Sequence, residues 1–473
     1  MTDGAGRGKK VAAFWAAVVG GFALTAALLA ARALSVADWH GADLSPFYVQ
    51  LAPRFSAWGL VAVALFAVFI WLWPRAASWR PRFFLPAATL FFAALALALA
   101  ALYGGPANIP SRAVGVFLGD LNTLGSPASF FGRYHLLLAD IGIHGRVRPP
   151  GLFLLLWALV RVVGTNGYAL QAAWALGAAA AAFPVYFFAA RVAGARAAPV
   201  AVVLYLLSGC FATHGVSYDG LFATLGIAIL YFVVMAAEER GWRGTVAAGV
   251  TLAAGALFSF TLAFILVFLV VIFAERAVAE KRAGEMAAKA ALVVGIPIAT
   301  LVLLYFLTGY DWPANFAESY RWAQTQASGG INVFKVLFPR PDLAGYPVPA
   351  YRRSYWLWMP GNLVALALTA GVPITVLYLK WLWDLRRREA RATALGRVFG
   401  LAFLALVLFN LTGVTLGETE RVWLYLVPVL AIPAAAALVR LADETAHPRL
   451  VAAVFAVLFA QVFVWRVLFW VPW

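Results

Sequence analysis

The chain has 473 residues, of which 64% are hydrophobic and only 12% charged, with a formal net charge of +16. Its mean hydropathy of +0.87 exceeds what a soluble core requires, and apolar runs of about 18 residues or more recur, so the composition excludes a soluble globular domain and specifies an all-α polytopic membrane protein. The Lys and Arg residues sit in short blocks between apolar segments, as anchors on anionic lipid do, which speaks against nucleic acid as a partner. Cys210 is the single cysteine, so neither a disulfide nor a cysteine-built metal site forms within one chain.

In chain order, the apolar stretches predict spans near 11–34, 58–74, 83–103, 168–191, 198–213, 220–237, 243–258, 262–276, 288–308, 361–380, 397–414, 422–441 and 448–470, about thirteen transmembrane helices. The first follows the basic start Arg7-Gly-Lys-Lys10. It is long for a signal-peptide core and no convincing cleavage site follows, so it reads as a retained helix. A cytoplasmic N-terminus puts Arg75/Arg80/Arg82, Arg191/Arg196, Arg240/Arg243, Arg276/Lys281/Arg282/Lys289, Arg386/Arg387/Arg388/Arg391 and Arg440/Arg449 inside, as the resistance of Lys and Arg to translocation demands. The expected organisation is two N-terminal helices with their cytoplasmic connection (1–82), a core (83–308) holding an external segment 104–167, a second external segment 309–360, and C-terminal helices (361–473). The expected location is a plasma or inner membrane, with the functional face external.

That topology requires 151–163 not to span. Gly151 to Val163 is 13 residues before Gly164-Thr-Asn-Gly167, too short for hydrocarbon that needs about 20, and an amphipathic helix in the outer interface fits better. Pro149-Pro150 stiffens its entry, since proline is tolerated in a helix's first turn.

The stretch His144-x-Arg-x-Arg-Pro-Pro-Gly-Leu-Phe-Leu-Leu-Leu-Trp157, then Val163-Gly164, then a helix ending Phe188-Ala-Ala-Arg-Val-Ala-Gly-Ala-Arg196, resembles the N-terminal core of the C-type glycosyltransferase superfamily. That group includes protein O-mannosyltransferases and the aminoarabinose transferases of lipid A. The likeness continues through Ser208 to Tyr218-Asp219-Gly-Leu-Phe222 and covers about residues 83–275, with a weaker echo at Gly417-Glu-Thr-Glu-Arg421. Arg148 stands where the family's pattern has His or Lys before the proline pair, the common Asp-Glu pair is absent, and the first two spans look like an addition. The resemblance implies transfer of a sugar from a polyprenyl-phosphate donor to an envelope glycan, glycolipid or protein. The acceptor hydroxyl must lose a proton, which a carboxylate base assists by about 10²–10⁴-fold, and the departing phosphate gathers charge that Arg, His or a divalent cation stabilises.

In relatives the key acid lies upstream of the proline pair, which makes Asp120 the leading base; capping of the following helix, or plain solvation, is the alternative. Asp140 is a weaker substitute that can equally pair with Arg133. Asp219, at the outer end of an apolar helix with His214 and Tyr218 nearby, is expected to orient the acceptor or bind a metal ion, unless it only N-caps the 220–237 helix. His144, Arg146 and Arg148 are candidate phosphate ligands, or headgroup anchors. Arg421 either reaches a lipid phosphate or pairs with Glu418 or Glu420. The metal, if any, is expected to be a hard divalent ion held by Asp and phosphate oxygens, because zinc-ligand spacings are missing. Aromatics from Tyr310 to Trp358 either stack on a sugar or form an interfacial belt. A transporter or lipid flippase is the alternative; it predicts ionisable groups at helix centres, broken helices in corresponding halves, or inverted repeats.

Overall fold

The computed structural model describes residues 3–34, 50–51, 53–102, 104–110, 112–214, 216–326, 355–412 and 423–470. Among these the chain is helical apart from turns and a two-residue antiparallel pairing of Gln50–Leu51 with Phe469–Trp470. Among the described residues ten helices are long and apolar enough to cross a bilayer, or eleven when a bent pair counts as one span. The protein is an all-helical membrane protein; the expected count of thirteen is not reached by this measure.

Two expected spans fall short for local reasons. The 198–213 segment is broken at Leu207-Ser208 into Ala197–Leu206 and Gly209–His214, and Arg243–Phe258 has only 16 residues. Both nonetheless carry the chain between the ends of the bundle. Arg196 pairs with Asp443 at one end, whereas Asp219 begins the Tyr218–Glu238 helix at the other.

The expected straight span 361–380 is instead the bent pair, Trp358–Ala370 and Val372–Asp384, the second turned by 116° from the first. Gly371 makes the corner at φ +121°, and a side chain there would strike Leu458. Breaking a helix in hydrocarbon strands backbone groups that water cannot reach. Gln461 satisfies them: its Oε1 accepts from Val372 N at 3.0 Å and its Nε2 donates to the Leu368 carbonyl at 3.1 Å.

The central helices are Tyr218–Glu238 and Val427–Thr445; Ala283–Thr308 lies on the periphery. Small residues allow the close approaches that packing in lipid depends on. Ala178, Ala179, Ala181 and Ala182 are fully buried where Gly167–Ala179 meets Pro81–Ala101 and Tyr218–Glu238. The first helix, Asp3–Leu34, packs on Val372–Asp384 and Val427–Thr445.

A second core sits beyond the bundle end that carries Asp219. The segment expected as a long loop, 104–167, folds into short helices, Arg112–Leu124, Pro127–Phe130, Ile143–Arg146 and Gly151–Val163 among them. The apolar faces of Arg112–Leu124 and Gly151–Val163, with Phe130, join Trp174, Tyr218, Phe222, Tyr310 and Trp322 in one aromatic layer. Gly151–Val163 has the expected bounds and is too short to span.

Candidate active site

Asp120 is placed by helical periodicity. Val114, Phe117, Leu121 and Leu124 of Arg112–Leu124 form an i, i+3, i+7 stripe that is buried. Phe117 meets Tyr218 edge-on at 4.7 Å and Phe153 at 5.9 Å. Asp120, one turn further on, is drawn toward the same layer and is only 8% exposed. Its Oδ1 accepts a hydrogen bond from the Gly142 backbone N–H at 2.7 Å. Its Oδ2 is buried with no hydrogen-bond partner among the described residues. Burial pushes this carboxyl above the ordinary carboxylate range, more than the Gly142 N–H and the charge of Arg146 pull it down. Asp120 therefore neither caps a helix nor is solvated.

Gly142 matters through space rather than conformation. A Cβ there would lie 3.1 Å from Asp120 Oδ2 and 3.3 Å from Oδ1. The turn that follows is held by Arg146, whose Nε donates to the Ile141 carbonyl at 2.6 Å and whose Nη2 donates to the Ala139 carbonyl at 2.8 Å. The guanidinium lies over the Trp322 ring at 4.1 Å. The forked edge that would grip a phosphate is thus committed to the loop. His144 lies half-buried on the same turn. Asp140 is exposed, and Arg133 is directed elsewhere, its Nε donating to the Ser129 carbonyl at 2.8 Å.

Arg148 and Asp219 form the other half of the site. Both are buried, and Arg148 Nη2 donates to Asp219 Oδ1 at 3.1 Å and to the Tyr218 hydroxyl at 3.0 Å. Its guanidinium also lies over the rings of Tyr218 at 4.2 Å and Phe222 at 5.0 Å. Asp219 is not the helix cap expected of it as an alternative. Ser217 occupies the N-cap, its Oγ accepting from Asp219 N at 3.2 Å. Asp219 instead stands in the first turn, where its carboxylate complements the helix dipole and Arg148. The Pro149-Pro150-Gly151 element sets this geometry: a side chain on Gly151 would collide with the Leu257 carbonyl, so only glycine lets Gly151–Val163 seat against the bundle.

The two halves share one electrostatic neighbourhood. The fully buried Tyr134 donates to the Gly145 carbonyl at 3.1 Å, and its phenol is pushed well up by burial first, then by Tyr310 and Asp120, against a smaller opposing effect of Arg148. The structure therefore brings Asp120, Arg146, Arg148, Tyr218 and Asp219 to one face and leaves Asp140 outside. Arg421 and the side chain of His214 lie outside the described residues. No three His, Cys, Asp or Glu side chains converge among the described residues to hold a metal ion. Asp219 is paired with a guanidinium, so this donor set does not fit a resident cation.

Gly142, Tyr134 and Trp322 were not legible as site residues in the sequence. Trp322 belongs to the helix Trp312–Gln326, within the second segment read as a loop. Its aromatic spacing was the available signal: Trp312 and Phe316 stack at 5.5 Å, and Phe316 and Tyr320 at 6.2 Å.

Residues 147–305 match the profile of a family described as dolichyl-phosphate-mannose-protein mannosyltransferase. No curated protein matches. Among solved structures, ArnT from Cupriavidus metallidurans bound to undecaprenyl phosphate aligns at 16% identity and a TM-score of 0.45, covering 69% of this chain and 59% of that one. The same protein in the apo state aligns at 16% identity and a TM-score of 0.43, covering 69% and 58%. This chain thus spans less than two thirds of the length of the ArnT chain it aligns with. The chain is a polytopic helical membrane protein that resembles the C-type glycosyltransferases, with the mannosyltransferase family's sequence pattern running from Val147, beside the proline pair, to Tyr305.

Proposed function

We propose that the chain is a membrane glycosyltransferase that moves a sugar from a polyprenyl-phosphate donor to a hydroxyl of an envelope glycan, glycolipid or protein, with Asp120 as general base and the site on the external face. The observation that carries this reading is the buried Oδ2 of Asp120, without a partner among the described residues, on a carboxyl whose affinity for a proton is already raised. A desolvated carboxylate with one oxygen held by Gly142 and the other without a partner among the described residues is a directed proton acceptor.

In the proposed step the acceptor oxygen attacks the anomeric carbon and its proton passes to Asp120 Oδ2. The bond from that carbon to the phosphate oxygen breaks, and the electron pair leaves with the lipid phosphate. The charges fit this course. Asp120 and Asp219 balance Arg146 and Arg148 before reaction; once Asp120 is protonated, the same four groups carry one net positive charge as the phosphate becomes more negative. Arg148 and Asp219 keep that charge fixed in a layer with little water. His144, half-buried on the turn that Arg146 holds, would supply the donor phosphate with a further hydrogen-bonding group.

Asp120→Asn keeps an acceptor for the Gly142 N–H but cannot take the proton. In lipid with a panel of polyprenyl-phosphate sugars, release of polyprenyl phosphate should fall by about 10²-fold or more while donor binding persists. Near-normal release would remove Asp120 as the base.

The broken helices favour one competing reading, a lipid flippase. The breaks at Leu207-Ser208 and Gly371 lie near each other, with Cys210 Sγ donating to Thr369 Oγ1 at 3.1 Å. Ser208, Cys210, Thr369 and Gln461 lie at these breaks, none of them a carboxylate, lysine, arginine or histidine of the kind a transport path would use. Movement of labelled polyprenyl phosphate across vesicles without sugar transfer would favour the flippase.

A further inference from the structure

The end of the bundle opposite Asp120 holds a cavity of about 800 Å³ between the first helix, Val372–Asp384 and Val427–Thr445. Its upper walls are apolar, formed by Phe14, Leu24, Val376 and Leu379. Leu24 and Leu379 are 60% and 57% exposed, so the slot opens sideways toward lipid. Its rim is ionic. Lys10, Lys380, Arg387 and Arg440 face Asp384 and Glu444, which leaves two positive charges in surplus.

The pairing within the rim shows which cations are available. Lys10 is paired with Glu444 at 2.7 Å and Lys380 with Asp384 at 3.0 Å. Arg440 is a third party, 3.7 Å from the Asp384 carboxylate that Lys380 already holds. Arg387 uses its backbone N–H on the Asp384 carbonyl, while its side chain is exposed. Two guanidiniums at the mouth of an apolar slot match an amphiphile with one anionic head and a long hydrocarbon tail.

We propose that this slot binds one anionic glycerophospholipid, its acyl chain along Phe14, Leu24, Val376 and Leu379 and its phosphate at Arg387 and Arg440. The site is separate from the transfer chemistry. From Lys10 to Leu24 the first helix rises about 21 Å, so an acyl chain can run from the ionic rim along the apolar wall. The bound lipid would fasten the peripheral first helix to the bent pair, whose corner at Gly371 lies at the deep end, near Gly21 and Val372.

The test is native mass spectrometry of the full chain after exchange into mixed micelles with equal phosphatidylglycerol and phosphatidylcholine. One phosphatidylglycerol should be retained in preference to phosphatidylcholine. Arg387→Gln with Arg440→Gln should lower that preference by about tenfold or more, and Ala17→Phe, which fills the slot, should lower retention of both lipids. Should Ala17→Phe not fold, the double Gln variant, altered only at exposed side chains, still decides. Equal retention of the two lipids by the unaltered protein, or an unchanged preference in the double variant, would overturn the proposal. Displacement by glycerol phosphate alone would reduce the site to a headgroup contact, and stronger retention of undecaprenyl phosphate would assign the slot to the donor lipid; each also overturns it. Transfer activity of the double variant should equal that of the unaltered protein, so loss of Asp120 function and loss of lipid binding are read separately.

Discussion

The two ends of the bundle use charge in opposite ways. At the end carrying the basic blocks, ions are numerous and multiply paired: Arg191 with Glu238 at 2.7 Å and Glu239 at 3.0 Å, Arg196 with Asp443 at 2.8 Å, Arg282 with Glu280 and Glu285 at 2.6 Å each. At the other end the exposed Asp140 and the half-buried Arg321–Glu318 pair accompany a small buried set, in which Arg148 and Asp219 form one pair and Asp120 leaves an oxygen with no partner among the described residues. Water relaxes the exposed pairs of the first arrangement, although Arg276 and Lys289 within it are themselves buried, each held by several partners, and it is nearly absent from Arg148 and Asp219. An exposed network of pairs is worth little per pair, whereas a buried ion is expensive unless matched. The one left unmatched among the described residues is where the proposed reactant would complete the set.

The largest effect should come from breaking the buried pair. Arg148→Gln strands Asp219 and should cost about 3–5 kcal/mol of stability, read by thermal unfolding in detergent. Arg148→Met combined with Asp219→Leu should recover much of it, because two apolar groups leave no buried charge. Equal stability of Arg148→Gln and the unaltered chain would place the pair in water and erase the contrast between the ends.

Gly142→Ala sharpens the contrast at Asp120 itself. The added methyl comes within 3.1 Å of the free oxygen, so transfer should drop on the order of tenfold as the carboxylate is displaced, with folding kept. A fully active Gly142→Ala would mean that Oδ2 is not the proton acceptor.

A pH profile tests the same group. Because burial raises the Asp120 pKa in the folded state, the acid limb of kcat/KM should lie above the ordinary carboxylate range. For stability the sign is opposite to that of a salt-bridged acid. The folded state holds the proton more tightly, so this contribution is present at low pH and is lost as pH rises from the unfolded value through the folded one. Asp120→Asn should then be no less stable than the unaltered chain at neutral pH, and its residual transfer should lose that limb. Loss of stability in Asp120→Asn as pH rises would contradict the assignment.

The smallest effect is expected at the other end. Arg191→Gln should change stability by no more than about 1 kcal/mol and leave transfer unaltered. A loss of activity there would mean that the two ends are coupled.

Much of the site was legible because local chemistry dictated it. The 13-residue length of Gly151–Val163 excluded a span, Pro149-Pro150 fixed where that helix begins, the cost of a carboxylate at the end of an apolar helix singled out Asp219, and the resemblance to relatives with an acid upstream of the proline pair pointed to Asp120. Side-chain partners were not legible, since they depend on segments far apart in the chain. Arg146 looked like a phosphate ligand, and the fold spends its forked edge on Ala139 and Ile141. Arg148 looked equally available, yet it meets Tyr218 and Asp219 seventy residues on. Residues 104–167 read as a loop because their helices are too short and too mixed in polarity to announce themselves. The aromatic layer that orders them draws on Trp174, Tyr218, Tyr310 and Trp322.

By itself, then, the sequence determined the membrane class, the approximate places of most spans and the short helix 151–163 that does not span, because hydrocarbon imposes length and polarity on each segment independently. Only the tertiary structure decided which carboxylate is left unpartnered, which arginine is committed and where a span breaks. Those outcomes depend on burial and on contacts between distant residues, which no single segment carries.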